Sequence, residues 1–355
     1  MAILDRYIVR EVGAIFLFGI ALFTLILTVN HIFFLARFAA TEHIAVTTVV
    51  RLLLLRVPYF LAFSLPMALL LGVLLTFGRL SDRNEVVAMR TSGISLIRVA
   101  LPVLAGGLAV SLSGIALNEW VVPLAEERYR TEFLSAGSRS LAPQSYLLFR
   151  EREGSRISVY YARRVAPGGE TMEGLTANQF EEDRLVRVIE AARARYGPGG
   201  WDLEDGTMHL LGGPQLVSVA FQRIKASIRR TPAEILIGQK DPSEMTIAEL
   251  RAYMGVLRRT GESIVEYLVY LHSRFALPAS SLIFALLAVP LGLRPHRSGS
   301  SIGLGLTIVI LLVYYLLMNS TLALGHSGRL SPALAAWSPN LLVGAVGGYL
   351  LWRAR

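Results

Sequence analysis

Residues 12–36 read VGAIFLFGIALFTLILTVNHIFFLA, a run without Asp, Glu, Lys or Arg between Glu11 and Arg37. At about 1.5 Å per residue, a helix over this run reaches across a hydrocarbon core of about 30 Å. The run is far too long for a buried strand, and in lipid a helix satisfies its own backbone hydrogen bonds. Five more charge-free windows follow, between Arg56 and Arg79, Arg98 and Glu119, Arg274 and Arg294, Arg297 and Arg329, and Arg329 and Arg353. Three windows precede a charged middle section and three follow it. The sequence therefore predicts a membrane α-helical protein with six transmembrane helices, helices 1–3 in residues 1–118, an inserted domain in 119–261 and helices 4–6 in 262–355.

Composition agrees: 53% of the residues are hydrophobic, 17% are charged and the mean hydropathy is +0.51, which excludes an ordinary soluble enzyme. The net charge of +9 comes almost wholly from Arg, since Lys225 and Lys240 are the only lysines, and it does not point to nucleic acid. With no cysteine there is no disulfide, thiolate nucleophile or Cys-ligated metal. Arg in short segments stays preferentially in the cytoplasm. Arg6 and Arg10, then Arg79, Arg83, Arg90 and Arg98, then Arg294 and Arg297, and finally Arg353 and Arg355 all fall on one side of a six-span chain. The opposite short connections hold only Arg37, Arg51, Arg56 and Arg329. Both termini are expected inside and the middle domain outside. The first apolar run exceeds the roughly 7–15 residues of a signal-peptide core and reads as a retained helix.

The middle section reads as short strands between turn residues. Candidate strands are 145–150, 156–165, 172–181, 184–196, 200–211 and 216–228, broken at Gly154, Pro167-Gly168-Gly169, Asp183, Gly197 to Gly200 and Gly212-Gly213-Pro214. Alternation at Val186 and Val188, and at Leu216, Val217, Val219 and Phe221, gives the sheet one apolar face. An antiparallel β-sandwich or open jelly roll is expected. Pro123 to Phe133 extends the third span, and Thr246-Ile247-Ala248-Glu249 is a capping box opening a helix that Gly261 ends, with Leu250, Tyr253, Met254 and Leu257 as its apolar stripe. Asp202, Glu204, Asp205 and His209 could be imagined around a metal, but Asp205-Gly206 is a hairpin signal and alternation exposes the group to water.

Between the second and third spans lies Ser81-Asp82-Arg83-Asn84-Glu85-Val86-Val87-Ala88-Met89-Arg90-Thr91-Ser92-Gly93. Ser81 or Asp82 is placed to cap a helix, Arg90 sits near its end, and Gly93 closes it. Such a helix is too short to bury anything within its own chain. It is either a solvated connector or a docking helix for a soluble partner, with Glu85 as the charged anchor.

Val57-Pro58, Leu65-Pro66-Met67-Ala68, Leu70-Leu71-Gly72, Phe77-Gly78-Arg79-Leu80 and residues 84–95 together resemble the LptF/LptG (YjgP/YjgQ) permease family. Leu4-Asp5-Arg6-Tyr7, Asn118-Glu119-Trp120-Val121-Val122-Pro123 and Val289-Pro290-Leu291-Gly292 are similar too, so the resemblance spans nearly the whole chain, the β-domain matching mainly by position and size. It implies a non-catalytic permease subunit of an ATP-driven exporter in the bacterial inner membrane, which extracts lipopolysaccharide and passes it to a periplasmic bridge. The implied partners are a paralogous LptF or LptG, an LptB-type ATPase dimer that uses ATP and Mg, and LptC-type and bridge proteins of the jelly-roll kind beyond the outside domain. The resemblance makes residues 81–93 a coupling helix in which Asp82, Glu85, Val86, Met89, Arg90 and Gly93 meet the ATPase. The chain itself has no G-x-x-x-x-G-K-[ST] loop and is expected to hold no cofactor.

A lipid with several acyl chains and a phosphorylated head needs an apolar chamber with cations near its rim. Arg37, Arg51 and Arg56 fall near the outer ends of the first two helices, with His31 about a turn deeper, which suits phosphate contact or interfacial snorkelling. In the family the first and fifth helices form a lateral gate, which implies that Phe33, Phe34, Tyr314 and Tyr315 lie along the lipid path or merely in lipid. Asn319 and Ser320 in the fifth span suit helix packing as well as transport. A self-powered transporter would need ionisable residues within its spans, where only His31 is found, and a membrane-anchored scaffold or receptor would not need six spans. Another glycolipid stays open as the substrate.

Overall fold

The computed structural model describes residues 3–42, 44–136, 147–166, 168–182, 184–211, 217–293 and 299–354. Ser145, Pro167, Asp183, Gly212, Gly213, Pro214, Leu216, Arg294, Arg297 and Arg355 lie outside the described residues. The chain forms two compact units, one of Met1–Phe133 with Leu268–Arg355 and the other of Leu134–Tyr267.

The helical unit is built from α1 (Ile3–Glu42), α2 (Val46–Asp82), α3 (Glu85–Thr91), α4 (Leu96–Ala116), which runs through a π-helical turn (Leu117–Val121) into α5 (Val122–Ala136), and α8 (Val265–Gly292), α9 (Gly299–His326) and α10 (Pro332–Arg353). Six of these stretches are long and apolar enough to cross a membrane, one in each charge-free window. Pro58, Pro66, Pro278 and Pro290 lie inside α2 and α8, as spans allow where neighbouring helices re-satisfy the backbone. Leu70, Val73, Phe77, Phe284, Val289 and Tyr314 are central to a continuous core.

Lipid tails are as apolar as leucine, so close backbone approach at small residues holds such helices together. A Cβ on Gly19 would lie 3.1 Å from Ala68 Cα, and one on Gly72 would lie 3.3 Å from Val12 O and Phe16 N. Gly72→Leu should therefore push α1 off α2 at a cost of about 1–3 kcal/mol, read as earlier thermal unfolding of the detergent-solubilised chain. Gly13→Ala, where a Cβ meets nothing within 4 Å, is the control expected to unfold with the wild type.

The second unit holds β1 (Leu147–Glu153), β2 (Arg156–Val165), β3 (Thr171–Glu181), β4 (Arg184–Gly197), β5 (Gly200–Leu210) and β6 (Val217–Lys225), then α6 (Pro232–Ile237) and α7 (Ile247–Arg259). All six strands pair antiparallel in sequence order, a meander of one sheet. The capping box predicted at Thr246 and Glu249 is present, and a second one at Thr231 and Glu234 opens α6.

A meander gains a core by bending, and the ladders show where. Pairing skips Arg163 against Gly174, Gly174 against Ala192, Ala192 against Asp205 and Asp205 against Gln222, a single line across five strands. Along it each strand turns two successive residues outward: Arg163-Arg164, Glu173-Gly174, Ala192-Arg193, Glu204-Asp205 and Gln222-Arg223. On either side, residues three apart both face in, as with Met172 and Leu175, Ala191 and Ala194, and Phe221 and Ile224. The inward face thus changes parity at a crease, and the two halves of the sheet share one core. Gly174 (φ 63°) and Asp205 (φ 51°) supply left-handed backbone there.

This corrects the reading of Asp205-Gly206 as a hairpin turn. Both residues lie within β5, and Gly206 does not have the positive φ that such a turn requires of it. Along the outer edge of the crease the register sets Arg164, Glu173, Arg193, Glu204 and Arg223 side by side across the strands, with Arg164–Glu173 at 3.3 Å and Arg223–Glu204 at 3.1 Å. Alternating charges of this kind favour this register over a slipped one.

Candidate functional site

At the face of the helical unit where α1 begins and α2 ends, the chain makes a tight double turn. α2 runs to Asp82, Asn84 adopts a left-handed conformation (φ 57°), and α3 starts at Glu85. The expected cap from Ser81 or Asp82 is absent: Asp82 is the last residue of α2, and Ser81 Oγ donates to Leu293 O at 3.2 Å. Asn84 tolerates the left-handed backbone that reverses the chain, so no capping side chain is used. At the other end Gly93 (φ 81°) closes α3 as expected. Its N–H donates to Arg90 O and that of Ile94 to Met89 O, both at 3.0 Å, which is a Schellman motif. Ser95 then caps α4 through the Arg98 N–H.

The expectation that this helix buries nothing in its own chain is also corrected. Val86 is buried and Met89 packs on the bundle core, while Val87, Ala88, Arg90 and Thr91 are exposed. α3 therefore has an anchored face and an open one. Beside it runs an open groove of about 380 Å³ whose lining includes Asn84, Val87, Arg90, Pro290, Leu350 and Arg353. Glu85 is not a free anchor. The Tyr7 hydroxyl donates to its Oε2 at 2.8 Å, and Arg83 lies 3.8 Å from its Oε1.

At the opposite face the predicted lipid-contacting cations divide. Arg37 and Arg51 are exposed, Arg51 standing 3.6 Å from Glu132. Arg56 is turned inward instead. It pairs with Glu126, whose side chain is 2% exposed, and its guanidinium lies 5.0 Å from the Tyr59 ring centre and 4.9 Å from that of Tyr129. Its charge is matched inside the chain. His31 sits among Phe34, Phe60 and Tyr129, with ring centres 5.6–5.8 Å away. Phe33 and Phe34 are exposed. The sequence reading missed Glu126, Tyr129 and Phe133. The signal was there, because Arg51 and Arg56 on α2 run antiparallel to Glu132 and Glu126 at nearly matching spacing.

Tyr314 is in the core of the helical unit. Its side chain is 1% exposed, its hydroxyl donates to Asn340 Oδ1 at 2.8 Å, and Asn340 Nδ2 donates to Ala276 O at 2.6 Å, which ties α8, α9 and α10 together. Tyr315 crosses Tyr314 edge-on at 5.3 Å, while Asn319 and Ser320 are exposed. The Asn118-to-Pro123 stretch covers most of the π-helical turn and the first two residues of α5. Pro123 has no N–H to continue the ladder, and Arg274 of α8 donates to Asn118 O at 3.2 Å, 3.8 Å from Glu119. Among the described residues no three His, Asp or Glu side chains gather as metal ligands. His209 Nδ1 instead lies 2.8 Å from Ser218 Oγ.

A family model described as lipopolysaccharide export system permease LptF/LptG matches residues 6–353. The chain belongs to the LptF/LptG family. It is 29% identical over 253 residues to the lipopolysaccharide export system permease protein LptG of Escherichia coli, covering 69% of this chain and 68% of that protein. To LptG of Haemophilus influenzae it is 23% identical over 309 residues, covering 85% and 84%. To LptF of Escherichia coli it is 24% identical over 359 residues, covering 96% and 92%. As an LptF/LptG permease the chain is a non-catalytic transport subunit of the inner membrane. Its higher identity is to LptG and its longer match to LptF, so the two roles are not separated.

Proposed function

We propose that this permease moves lipopolysaccharide out of the inner membrane with work delivered by a separate ATPase docked on α3, as one half of a pair with a paralogous LptF/LptG subunit. The observation that carries this reading is the two-faced α3. Val86 and Met89 fix it to the bundle while Val87, Ala88, Arg90 and Thr91 stand clear for a partner. A force applied to a helix so anchored passes into α2 and α4, which flank it in sequence. ATP and Mg are then the partner's. The Arg distribution supports placing both termini and α3 in the cytoplasm. The creased sheet would serve as the periplasmic domain, and β6, its last strand and exposed along most of its length, suits strand-by-strand docking of an LptC-type domain.

Glu85→Arg tests the reading. It reverses the charge at the first residue of α3, and the ATPase should be recovered with the purified permease at no more than about a tenth of the wild-type amount, a loss of roughly 1.4 kcal/mol or more. Undiminished recovery, or thiol labelling of a Glu85→Cys variant from the periplasmic side of intact cells, would sink it. The chain has no native cysteine to confuse the label.

A further inference from the structure

We propose that Tyr7 is the positioning residue that carries a pull on Glu85 into the first membrane helix. The proposal rests on the reading of α3 as the ATPase contact and says where the force goes next. A carboxylate accepts on both of its oxygens. Glu85 Oε2 accepts from the Tyr7 hydroxyl at 2.8 Å, and Oε1 is 3.8 Å from Arg83, beyond a strong hydrogen bond. One side chain thus holds α1 with one oxygen and offers the other to a cation from outside. The Tyr7 bond is charge-assisted and directional, so it moves with the carboxylate.

Two further ties fasten the start of α1 to the same face. Asp5 takes a two-pronged bond from Arg98 at 2.6 and 2.9 Å, and Glu11 pairs with Arg79 at 3.2 Å. Those ties reach α4 and α2; of the three, only that of Tyr7 reaches α3. Beyond this end α1 is held mainly along one side, where Gly19 lies against Ala68 and Gly72 against Val12 and Phe16 of α1. In its most apolar window 11% of the residues are buried, against 67% in that of α2. A displacement at Tyr7 is therefore resisted mainly along one side, by α2, and shifts α1 as a rod rather than dying out in side-chain repacking.

The test uses the complete complex, with permease pair and ATPase, reconstituted in vesicles containing lipopolysaccharide. Tyr7→Phe keeps the ring and removes the donor. The variant complex should assemble and hydrolyse ATP within about twofold of wild type, while lipid released per ATP falls at least tenfold. Tyr7→Lys, which returns a donor at similar reach, should recover at least a third of that ratio. An unchanged ratio in Tyr7→Phe overturns the proposal, as does a parallel loss of assembly, hydrolysis and release, which is the mark of a merely structural residue. ATPase recovery from the Glu85→Arg complex reports separately on the docking reading. Intact recovery there would remove both proposals, whereas its loss together with an unchanged Tyr7→Phe ratio removes only this one.

Discussion

Replacing Arg230 with Met is expected to lower the unfolding temperature of the sheet unit by about 10–20 °C. The guanidinium is 3% exposed and lies 5.2 Å from the Phe149 ring centre and 5.9 Å from that of Tyr253. It pairs with Glu262, stands 3.9 Å from Glu151, and donates to Tyr253 Oη and Arg150 O, both at 3.2 Å. Met fills a similar space and keeps the backbone carbonyl that accepts from Trp201 Nε1 at 2.7 Å. What it removes is the cation between a buried carboxylate, Glu151, and a partly buried one, Glu262, a loss of about 3–5 kcal/mol. Burial already raises the pKa of both Glu151 and Glu262, and Arg230 opposes that rise. Without it both rise further, so the folded variant binds protons more readily than its unfolded chain. The variant's deficit should then be least below pH 4.5 and grow as the pH rises towards 7. Hydrogen exchange over residues 147–262 at the two pH values measures it; equal deficits would assign the loss to packing alone.

The membrane half of this protein is written in its sequence by exclusion. A window from Glu11 to Arg37 with no charge has one stable form in lipid, and the same holds for the other five. The strands are nearly as plain, because Arg156 to Val165 and Arg184 to Tyr196 are flanked by residues that turn the chain. What the sequence hides is everything decided between distant segments. The pairing of Arg56 with Glu126 shows only when two distant segments are set side by side, and nothing near Tyr314 says that it will find Asn340. The α3 cap failed for a local reason: α2 kept its helical bonds through Asp82, and Asn84 made the reversal with its backbone. Family likeness supplied the function, and the fold adds that α3 is fastened on one side.

The crease is the clearest case of a sequence signal with two meanings. Asp-Gly marks a place where one residue goes left-handed and the next has no Cβ, and both a hairpin and a bent strand can need that. Here the bend wins, because Arg163, Gly174, Ala192 and Gln222 break their ladders on the same line as Asp205. Gly206→Val should therefore separate the two meanings. In a hairpin turn the side chain would point to solvent, whereas here a Cβ would strike the Glu190 carbonyl oxygen and the Phe221 ring. The oxygen belongs to the β4 backbone, so relief requires opening the β4–β5 ladder. The expected cost is about 3 kcal/mol, at the upper end for overpacking. It should appear as lost hydrogen-exchange protection across residues 187–210 and 217–225. Asp205→Gly relaxes the left-handed residue and should leave protection unchanged or slightly higher. If Gly206→Val were tolerated as well as Asp205→Gly, the sheet would not be bent at this line, and its two halves would have to reach a common core by another route.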